Sequence, residues 1–595
     1  MPLEKNKTEF YKSRLETLEV ERKKYSNKAK QWVVIRLFTF LAIPITVFFG
    51  YPIGGYSALI LVAEVVLFLI FVRKSAENKD KLNFVKHLIQ INENELNGLD
   101  GDYSNFSDGK QWIDPKHAFS YDMDVFGPNS FFPIFNRTVT LIGEKMLANN
   151  LLNGDIAPKE KNEAVEELTD HISWSQKYRA HGMTLEKEQA AVLIGDWSKN
   201  TVQPKSWMKV LKWIIPIVAF AASILYYFEF ISGIQFVIAA IIILLPVRQT
   251  LKKTNQLHQA LSKIGPRVQA MKEQLRILEE VNFKSSLLSQ YQSKLFKEAE
   301  NGREGLKSLG QLVKEIEYRN NILVAILLNF FFAWDSRVTL KAREWQDKYD
   351  KHIREWEHIV YEMESLISGA NFRYNYQSKS TYADLKDDVK SAIILEQVGH
   401  PIIEIDKLVS NDFSLKNGEQ FAIITGPNMA GKSTFLRSVG INLMLAKAGF
   451  PVMAEKFVFP NMNLYSSMRT SDNLSDETSY FHAELLRLRF IMDAIERGES
   501  VFIILDEILK GTNSKDKEEG SAKFLQKLSD LGARGIIATH DLSLTNLADQ
   551  DKQMINLYFD TKIEGEDISF DYIMRDGVAK NMNASFLLKK MKLTD

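Results

Sequence analysis

Residues 426–433 read GPNMAGKS, which fits the phosphate-binding pattern G-x-x-x-x-G-K-[S/T] in full. The segment FAIIT directly before it predicts a strand, and STFLRSVGINLMLAKAG predicts an amphipathic helix that overlaps its end. In this setting, glycines let backbone N–H groups surround phosphate oxygens at the positive end of a helix. We therefore expect Lys432 to contact the β and γ phosphates of ATP, and the hydroxyl of Ser433 to bind Mg²⁺.

Two acids and a histidine follow other predicted strands. Residues 501–505, VFIIL, predict a buried strand that ends at Asp506 and Glu507. Asp506 would hold Mg²⁺, usually through water, and Glu507 would orient or deprotonate the attacking water. The segment RGIIATH ends at His540, which would sense the γ phosphate unless it is a purely structural histidine. These three residues are the predicted catalytic set.

Composition limits the chemistry elsewhere in the chain. The 595 residues include 75 basic and 75 acidic side chains, so the whole protein has no electrostatic bias toward nucleic acid or anionic lipid. Cysteine is absent, which excludes disulfides, thiolate metal sites and cysteine nucleophiles. Any contact with nucleic acid must therefore come from a local patch of charge.

Apolar runs near the length of a membrane span occur in two pairs. A helix needs about 20 apolar residues to cross a hydrocarbon core. The four runs are residues 32–50, 57–72, 210–228 and 230–247. Lys and Arg flank the outer ends of both pairs and are absent from the loops inside them, which predicts that both hairpins enter and leave on the cytosolic side. Buried core helices are the alternative.

Two further features of the apolar segments need an interpretation. Glu64 lies in the middle of the second run, where it is either a functional group or is paired with a neighbouring helix or protonated. A fifth run, residues 322–334, has only 13 residues and contains Asn329. That length predicts a buried core helix better than a span.

The chain is thus expected to combine a C-terminal α/β P-loop ATPase domain of the ABC class with a preceding, mostly α-helical region that carries two transmembrane helical hairpins. The predicted segments are a charged helix (1–31), the first hairpin (32–73), a helical core segment (75–206), the second hairpin (207–248), a helical arm region (249–391) and the ATPase domain (392–595).

The motifs around the phosphate loop resemble those of the MutS mismatch-repair ATPases. The resemblance rests on TGPNMAGKSTFLRSVG at the loop, SDNLSDETSYFHAEL in the signature region, LDEILKGTNSKD at the acids and ATH at residues 538–540. It extends more weakly to residues 123–154, so that the core-like part begins at about residue 119. An ABC half-exporter has a similar layout, but only four spans are predicted and no LSGGQ segment precedes Asp506.

The resemblance implies a homodimer with composite ATP sites. Ser479 matches the serine that contacts the γ phosphate bound in the partner, and Asp516 matches an acid at the subunit interface. Leu408 stands where relatives often place an aromatic residue against adenine. The predicted nucleotide-binding residues are Gly426, Pro427, Asn428, Met429, Ala430, Gly431, Lys432, Ser433, Thr434, Leu408, Ser479 and Asp516.

The family's N-terminal mismatch-reading domain has no counterpart in residues 1–118. We therefore expect a membrane-anchored MutS-like ATPase of the cell (inner or plasma) membrane, with four spans in the bilayer and with its N-terminus and ATPase domain in the cytosol. ATP binding and hydrolysis at the dimer interface would move the helical arms. DNA binding by the arms stays open, through Lys and Arg contacts to phosphate. The alternatives are an ABC-type membrane transporter and a membrane mechanoenzyme that does not bind DNA.

Overall fold

The structure of the protein is a computed structural model, which describes residues 2–50, 55–154, 157–184, 193–199, 204–297, 302–469, 480–509, 513–564 and 567–579. The α-helices within these ranges are α1 Pro2–Gly50, α2 Gly55–Leu99, α3 Phe132–Phe135, α4 Leu141–Asn153, α5 Pro158–Asp170, α6 Ile172–Gly182, α7 Trp207–Tyr227, α8 Gly233–Glu279, α9 Ser286–Phe296, α10 Gly302–Glu317, α11 Ile322–Phe332, α12 Trp334–Asn375, α13 Lys432–Lys447, α14 Tyr480–Glu496, α15 Ser514–Asp530 and α16 Asn546–Gln550. The strands are β1 Asp384–Lys386, β2 Ile393–Val398, β3 Asn411–Leu415, β4 Phe421–Thr425, β5 Lys456–Pro460, β6 Asn463–Ser467, β7 Val501–Asp506, β8 Arg534–Ala538, β9 Met554–Phe559, β10 Lys562–Glu564, β11 Asp567–Ser569 and β12 Met574–Asp576.

The chain divides into two compact units. The helical unit comprises Met1–Leu96, Thr138–Gly143 and Ser173–Glu364. The sheet unit comprises Asn97–Arg137, Glu144–Ile172 and Ser365–Asp595. Several helices contribute residues to both units. In α12 the boundary between the units falls after Glu364.

A six-stranded sheet forms the centre of the sheet unit, in the order β12-β9-β4-β8-β7-β6. All of its neighbours pair in parallel except β12, which runs antiparallel to β9. Every residue of β4 and β8 is buried, as expected for strands in the middle of a parallel sheet with both faces covered. The predicted strands before the phosphate loop, before Asp506 and before His540 are confirmed.

A smaller four-stranded sheet, in the order β1-β5-β2-β3, and the hairpin β10–β11 complete the strands of this unit. Its helical part is held by buried aromatic side chains. Phe135 packs against Phe372 and Phe450, with ring centroids 5.3 and 4.9 Å away. α4 stops at Asn153, and Gly154 directly after it adopts the left-handed conformation (φ 74°) that commonly ends a helix.

The first pair of apolar runs forms an antiparallel helical hairpin in the helical unit. Trp32 packs against Phe71, Phe40 packs against Phe68, and the Thr46 hydroxyl donates a 2.8 Å hydrogen bond to Glu64. This supports the interpretation in which Glu64 has a partner on the neighbouring helix. The charged N-terminal segment and the first run are one continuous helix, α1, because no helix-ending residue separates them.

The second pair of runs also forms an antiparallel hairpin, made by α7 and the start of α8. Tyr226 stacks on Phe236 at 5.0 Å, and Ile215 and Ala219 form a buried cluster with Ile243. α8 then continues into the predicted arm region, with a 65° change of direction between Gly233–Gln249 and Thr254–Glu279.

Two helical segments of the described chain, Lys7–Phe49 and Trp207–Tyr227, are long and apolar enough to cross a membrane. The number rises to as many as four if each of two bent helix pairs counts as one span. One of these pairs is α8 itself, and the other joins α11 to α12 at 81°.

The prediction of a buried core helix over residues 322–334 is wrong. α11 does form there, but Ile322 and Leu323 are 72% and 69% exposed. The reason is that α11 packs on other helices along one side only, whereas its apolar residues surround the whole helix.

A buried charge cluster joins separate segments of the helical unit. The Glu364 carboxylate accepts hydrogen bonds from the backbone N–H groups of Val139 and Thr140, at 3.0 and 3.1 Å. Glu357, two helical turns earlier on α12, accepts from the N–H groups of Ile194 and Gly195. These carboxylates thus satisfy backbone donors of two segments that lie far away in sequence.

Arg267 of α8 supplies the positive charge of this cluster. Its side chain is fully buried and lies over the Tyr361 ring, 4.8 Å from the centroid. Burial raises the pKa of Glu364, while Arg267 and the N–H donors oppose that rise. The buried opposite charges therefore stabilise one another in a place where water cannot solvate them.

Replacing Glu364 with Gln should lower the free energy of unfolding by about 3 kcal/mol, because it removes a negative charge beside Arg267 and points an amide at N–H donors. Chemical denaturation of the full chain in detergent measures this change. The matched control is Glu355→Gln, also on α12, which removes an exposed carboxylate that pairs with Lys294 of α9. This change should lower the free energy of unfolding by less than about 1 kcal/mol. Equal stability of the two variants would contradict the role given to Glu364.

Candidate functional site

The phosphate loop connects β4 to α13 at the carboxyl edge of the large sheet. Gly426 has φ 146° and Gly431, which precedes the first turn of α13, has φ 108°. A Cβ on Gly426 would lie 2.6 Å from the Phe559 carbonyl oxygen, so no other residue fits there. The loop therefore has the backbone conformation in which N–H groups face a common centre.

Lys432 lies inside this loop. Its ammonium group donates hydrogen bonds to the carbonyl oxygens of Gly426 and Pro427, at 2.7 and 2.9 Å. Burial lowers the pKa of Lys432 to about 8, although Asp506 and Glu507 nearby favour the charged form. An anion bound in the loop would favour the charged form of Lys432, which burial disfavours.

Ser433 and Asp506 are brought together across the sheet edge. The Ser433 hydroxyl donates a 2.6 Å hydrogen bond to the Asp506 carboxylate. A hydroxyl and a carboxylate are oxygen ligands of the kind that Mg²⁺ prefers, and Mg²⁺ takes its remaining ligands from water and substrate phosphates. The predicted metal-binding pair thus fits the ion, with Ser433 and Asp506 as the residues that would hold it.

Glu507 and His540 lie beside this pair. The Glu507 carboxylate is 3.6 Å from His540 Nε2, which is 3.4 Å from the Lys432 ammonium. Burial, followed by Lys432, lowers the pKa of His540, so its imidazole is neutral near pH 7. Glu507 has a left-handed backbone (φ 52°), a conformation that costs free energy and is typical of functional sites.

A cavity of about 580 Å³ contains most of the predicted residues. Those that line it are Leu408, Asn428, Met429, Gly431, Lys432, Ser433, Thr434, Asp506, Glu507 and His540. Gly426, Pro427 and Ala430 belong to the loop but do not line the cavity. Its volume lies within the range that small-molecule sites occupy.

Sequence reasoning missed the aromatic wall of the cavity, which includes Tyr572 and Phe559. Tyr572 precedes β12 and has a left-handed backbone (φ 57°). The Asn411 amide holds this turn, because it donates to the Tyr572 carbonyl at 3.0 Å and accepts from the Met574 N–H at 2.7 Å. No sequence signal near the phosphate loop indicates a residue 140 positions away.

Tyr572 changes the interpretation of Leu408. Both side chains line the cavity, and a Cβ on Gly431 would be 3.2 Å from the Tyr572 ring. The cavity therefore has a flat apolar surface on which a base could stack, even though residue 408 is not aromatic.

Two predicted residues are not brought into this cavity. Asp516 is exposed in the first turn of α15, where its N–H donates to the Asn513 side chain. Ser479 lies outside the described residues. Their assignment to a site shared between subunits stays a prediction.

The segment before the signature region is tied to an earlier part of the chain. Arg469 forms two hydrogen bonds with the Asp124 carboxylate, at 2.6 and 2.7 Å. The Ser466 hydroxyl donates to Asp122 at 2.6 Å. Residues 122–124 thus support the end of β6, next to the strand that carries Asp506.

Comparison with known proteins adds a family to this geometry. Residues 422–593 match the family model MutS domain V. The chain is 31% identical over 209 residues to a DNA mismatch repair protein MutS of Thermotoga sp. (strain RQ2), which covers 35% of this chain and 25% of that protein. It is 34% identical over 193 residues to the DNA mismatch repair protein MutS of Aquifex pyrophilus, covering 32% and 22%.

A human relative, MutS protein homolog 4, is 26% identical over 242 residues, which cover 39% of this chain and 26% of that protein. The matched part of the chain thus spans about a quarter of the length of these curated relatives. The match includes the phosphate loop, both acids and His540. This chain therefore carries a MutS domain V and is related through its C-terminal part to the MutS proteins.

Proposed function

We propose that this protein is a membrane-anchored ATPase that binds and hydrolyses ATP at a dimer interface and couples hydrolysis to movement of its helical arms. The observation that carries the proposal is the meeting of Lys432, the Ser433–Asp506 pair and Glu507 at one end of a nucleotide-sized cavity within a MutS domain V.

The residues divide the work as follows. Loop N–H groups and Lys432 bind the phosphates, and the aromatic wall with Leu408 binds the base. Mg²⁺ held by Ser433 and Asp506 would neutralise charge on the phosphate oxygens. Glu507 accepts a proton from the attacking water, and the neutral imidazole of His540 keeps a polar contact beside it. Catalysis then rests on positioning and charge stabilisation.

A second copy of the chain would complete the site. Met429, at the tip of the phosphate loop, is 80% exposed although it is apolar, as expected for a residue that a partner covers. Asp516 also faces solvent on the sheet unit. MutS relatedness makes a homodimer the natural arrangement, with Ser479 reaching the nucleotide of the partner.

The two helical hairpins support the membrane part of the proposal. Their side chains are apolar and exposed over most of the runs, for example Phe48 at 78% and Ile217 at 69%. In water such surfaces would be costly, whereas lipid is their natural solvent. Together with the basic residues at both outer ends, this favours a location in the cell membrane with the ATPase domain in the cytosol. The MutS match favours this function over an ABC-type transporter.

DNA binding is the second candidate, because the relatives from Thermotoga and Aquifex are DNA mismatch repair proteins. Ion pairs within the arms already engage several of their arginines. Arg276 pairs with Glu273 and Glu280, Arg303 pairs with Glu279, and Arg343 pairs with Asp347. Such pairing reduces the number of arginines that are available for phosphate contacts.

Glu507→Gln should bind ATP with unchanged affinity but hydrolyse it at least about 10²-fold more slowly, because the amide cannot accept the proton of water. Phosphate release and nucleotide titration measure the two properties. Glu455→Gln, an exposed position of the same unit, should leave both unchanged. Wild-type turnover in Glu507→Gln would remove this residue from its catalytic role.

The full chain, expressed in cells, should sediment with membranes, resist extraction at alkaline pH and dissolve in detergent, because the hairpins cross the bilayer. In inside-out vesicles, added protease should digest the ATPase domain. Recovery in the soluble fraction, or digestion only in right-side-out vesicles, would disprove the proposed anchoring or its orientation.

For the second candidate, the detergent-solubilised chain should bind duplex DNA at about 50 mM salt and lose affinity steeply toward about 200 mM, because phosphate contacts release counterions. Fluorescence anisotropy with homoduplex, mismatched and branched DNA measures both affinity and preference. No binding at the lower salt concentration would exclude the DNA function while leaving the ATPase proposal intact.

A further inference from the structure

We propose that α11 is a third membrane element, a short helix that binds the acyl chains of the bilayer beside the second hairpin without crossing it. This inference rests on the proposed membrane anchoring, since it assigns lipid as the partner of a surface continuous with the hairpin. It replaces the expectation of a buried core helix at residues 322–334.

One side of α11 is packed on the hairpin. Phe330 and Ala333 are buried with Ile215, Ala219 and Ile243. Phe331 continues this contact, with its ring 5.3 Å from that of Phe220 on α7. α11 therefore lies at the level of the apolar run of α7, and any solvent that surrounds α7 also surrounds α11.

The other side of α11 carries a continuous apolar surface. Ile322, Leu323, Ile326 and Leu327 are all exposed, and they are neighbours at helical spacings of one, three and four residues. Exposed apolar residues on the outer side of α7, such as Ile217 and Val218, belong to the same unit. Lipid fits this surface because a single apolar environment would cover both helices.

The length of α11 excludes a full crossing. Eleven residues rise about 16 Å, roughly half of the 30 Å hydrocarbon core. Polar and aromatic residues stand at both ends: Tyr318 and Arg319 precede the helix, and Trp334, Asp335 and Arg337 follow it. The Arg319 guanidinium is 3.0 Å from the Asp335 carboxylate, so an ion pair joins the segments before and after the helix. The chain therefore enters and leaves on the same side.

The ends of α11 are also satisfied within the protein, as an apolar surrounding requires. The Asn321 side chain accepts hydrogen bonds from the N–H groups of Leu323 and Val324, at 3.0 and 3.3 Å. At the other end, Arg337 donates to the Phe332 carbonyl at 2.7 Å and to the Lys212 carbonyl of α7 at 2.7 Å. These bonds remove orphan polar groups from the helix ends.

Asn329 joins the end of α11 to the start of α12. Its side-chain oxygen accepts a 3.0 Å hydrogen bond from the Asp335 N–H in the first turn of α12, while its amide donates to the Ala325 carbonyl. Ala333 between the helices is left-handed (φ 51°), which produces the 81° bend. The one polar residue within α11 thus fixes the elbow from which the long helix α12 departs.

The flanking residues match a membrane–water interface. Arg337 lies over the Trp213 ring at 5.5 Å, and the Trp334 indole donates to the Glu315 carbonyl at 2.8 Å. Trp and Tyr with Arg or Lys are the residues that collect at headgroup level. A protein partner would need no such belt, which is why lipid is preferred over a second copy of the chain.

The absence of cysteine from the natural chain allows a direct test. Single variants Leu323→Cys and Leu327→Cys place a polarity-sensitive fluorophore on the exposed face of α11. Ile217→Cys reports on α7 as the hairpin control, and Lys351→Cys reports on the exposed surface of α12. Each full-length variant is reconstituted into phosphatidylcholine vesicles with or without nitroxide-labelled acyl chains.

We expect nitroxide lipid to quench the label at positions 323 and 327 about as strongly as at 217, and at least about twofold more than at 351, because the quencher is confined to the hydrocarbon core. Quenching at 217 but not at 323 and 327 would overturn the inference while the anchoring stands. Protection of 323 and 327 from aqueous iodide without lipid quenching would mean that protein covers α11, which also overturns it. No quenching at 217 would instead refute the anchoring on which the inference rests.

Discussion

The parallel alignment of β4, β8 and β7 is the constraint on which the nucleotide site depends. Two backbone hydrogen bonds fix it at the carboxyl edge: Thr539 N–H to the Ile424 carbonyl at 3.0 Å, and Glu507 N–H to the Ala538 carbonyl at 2.9 Å. The phosphate loop, the paired acids and His540 each begin where one of these strands ends. Because strands in a sheet are about 4.8 Å apart, side chains at neighbouring strand ends come within direct contact.

This alignment also concentrates charge in a half-buried place. Lys432 sits among carbonyl oxygens, Asp506 bonds to Ser433, and Glu507 faces a neutral His540. Burial lowers the pKa of Lys432 to about 8, which means that the charged ammonium group is disfavoured in the loop. Bound phosphate oxygens would offset this effect. Glu507, which lines the cavity, also has a left-handed backbone, a conformation that costs free energy.

The helical unit uses buried polar groups for a different purpose, which is to hold separate helices in defined geometry. Glu364 and Glu357 satisfy backbone donors of two other segments around Arg267, and Asn329 fixes the elbow between α11 and α12. Apolar packing alone permits many similar helix arrangements, whereas directional hydrogen bonds select one. α12 takes part in all of these contacts, through Glu357, Glu364 and the Asp335 N–H group.

The sequence by itself determined the strands, the phosphate loop and the acids, because each is a local pattern whose physics acts within about ten residues. It also indicated the paired apolar hairpins and a MutS relationship. Tertiary structure alone decided that Tyr572 and Phe559 complete the cavity, since those residues reach it only through β9 and β12, more than 120 positions after the loop. It likewise decided that α11 is exposed: an apolar run of eleven residues has the same composition whether it lies in a core or on a surface, and only its neighbours distinguish the two.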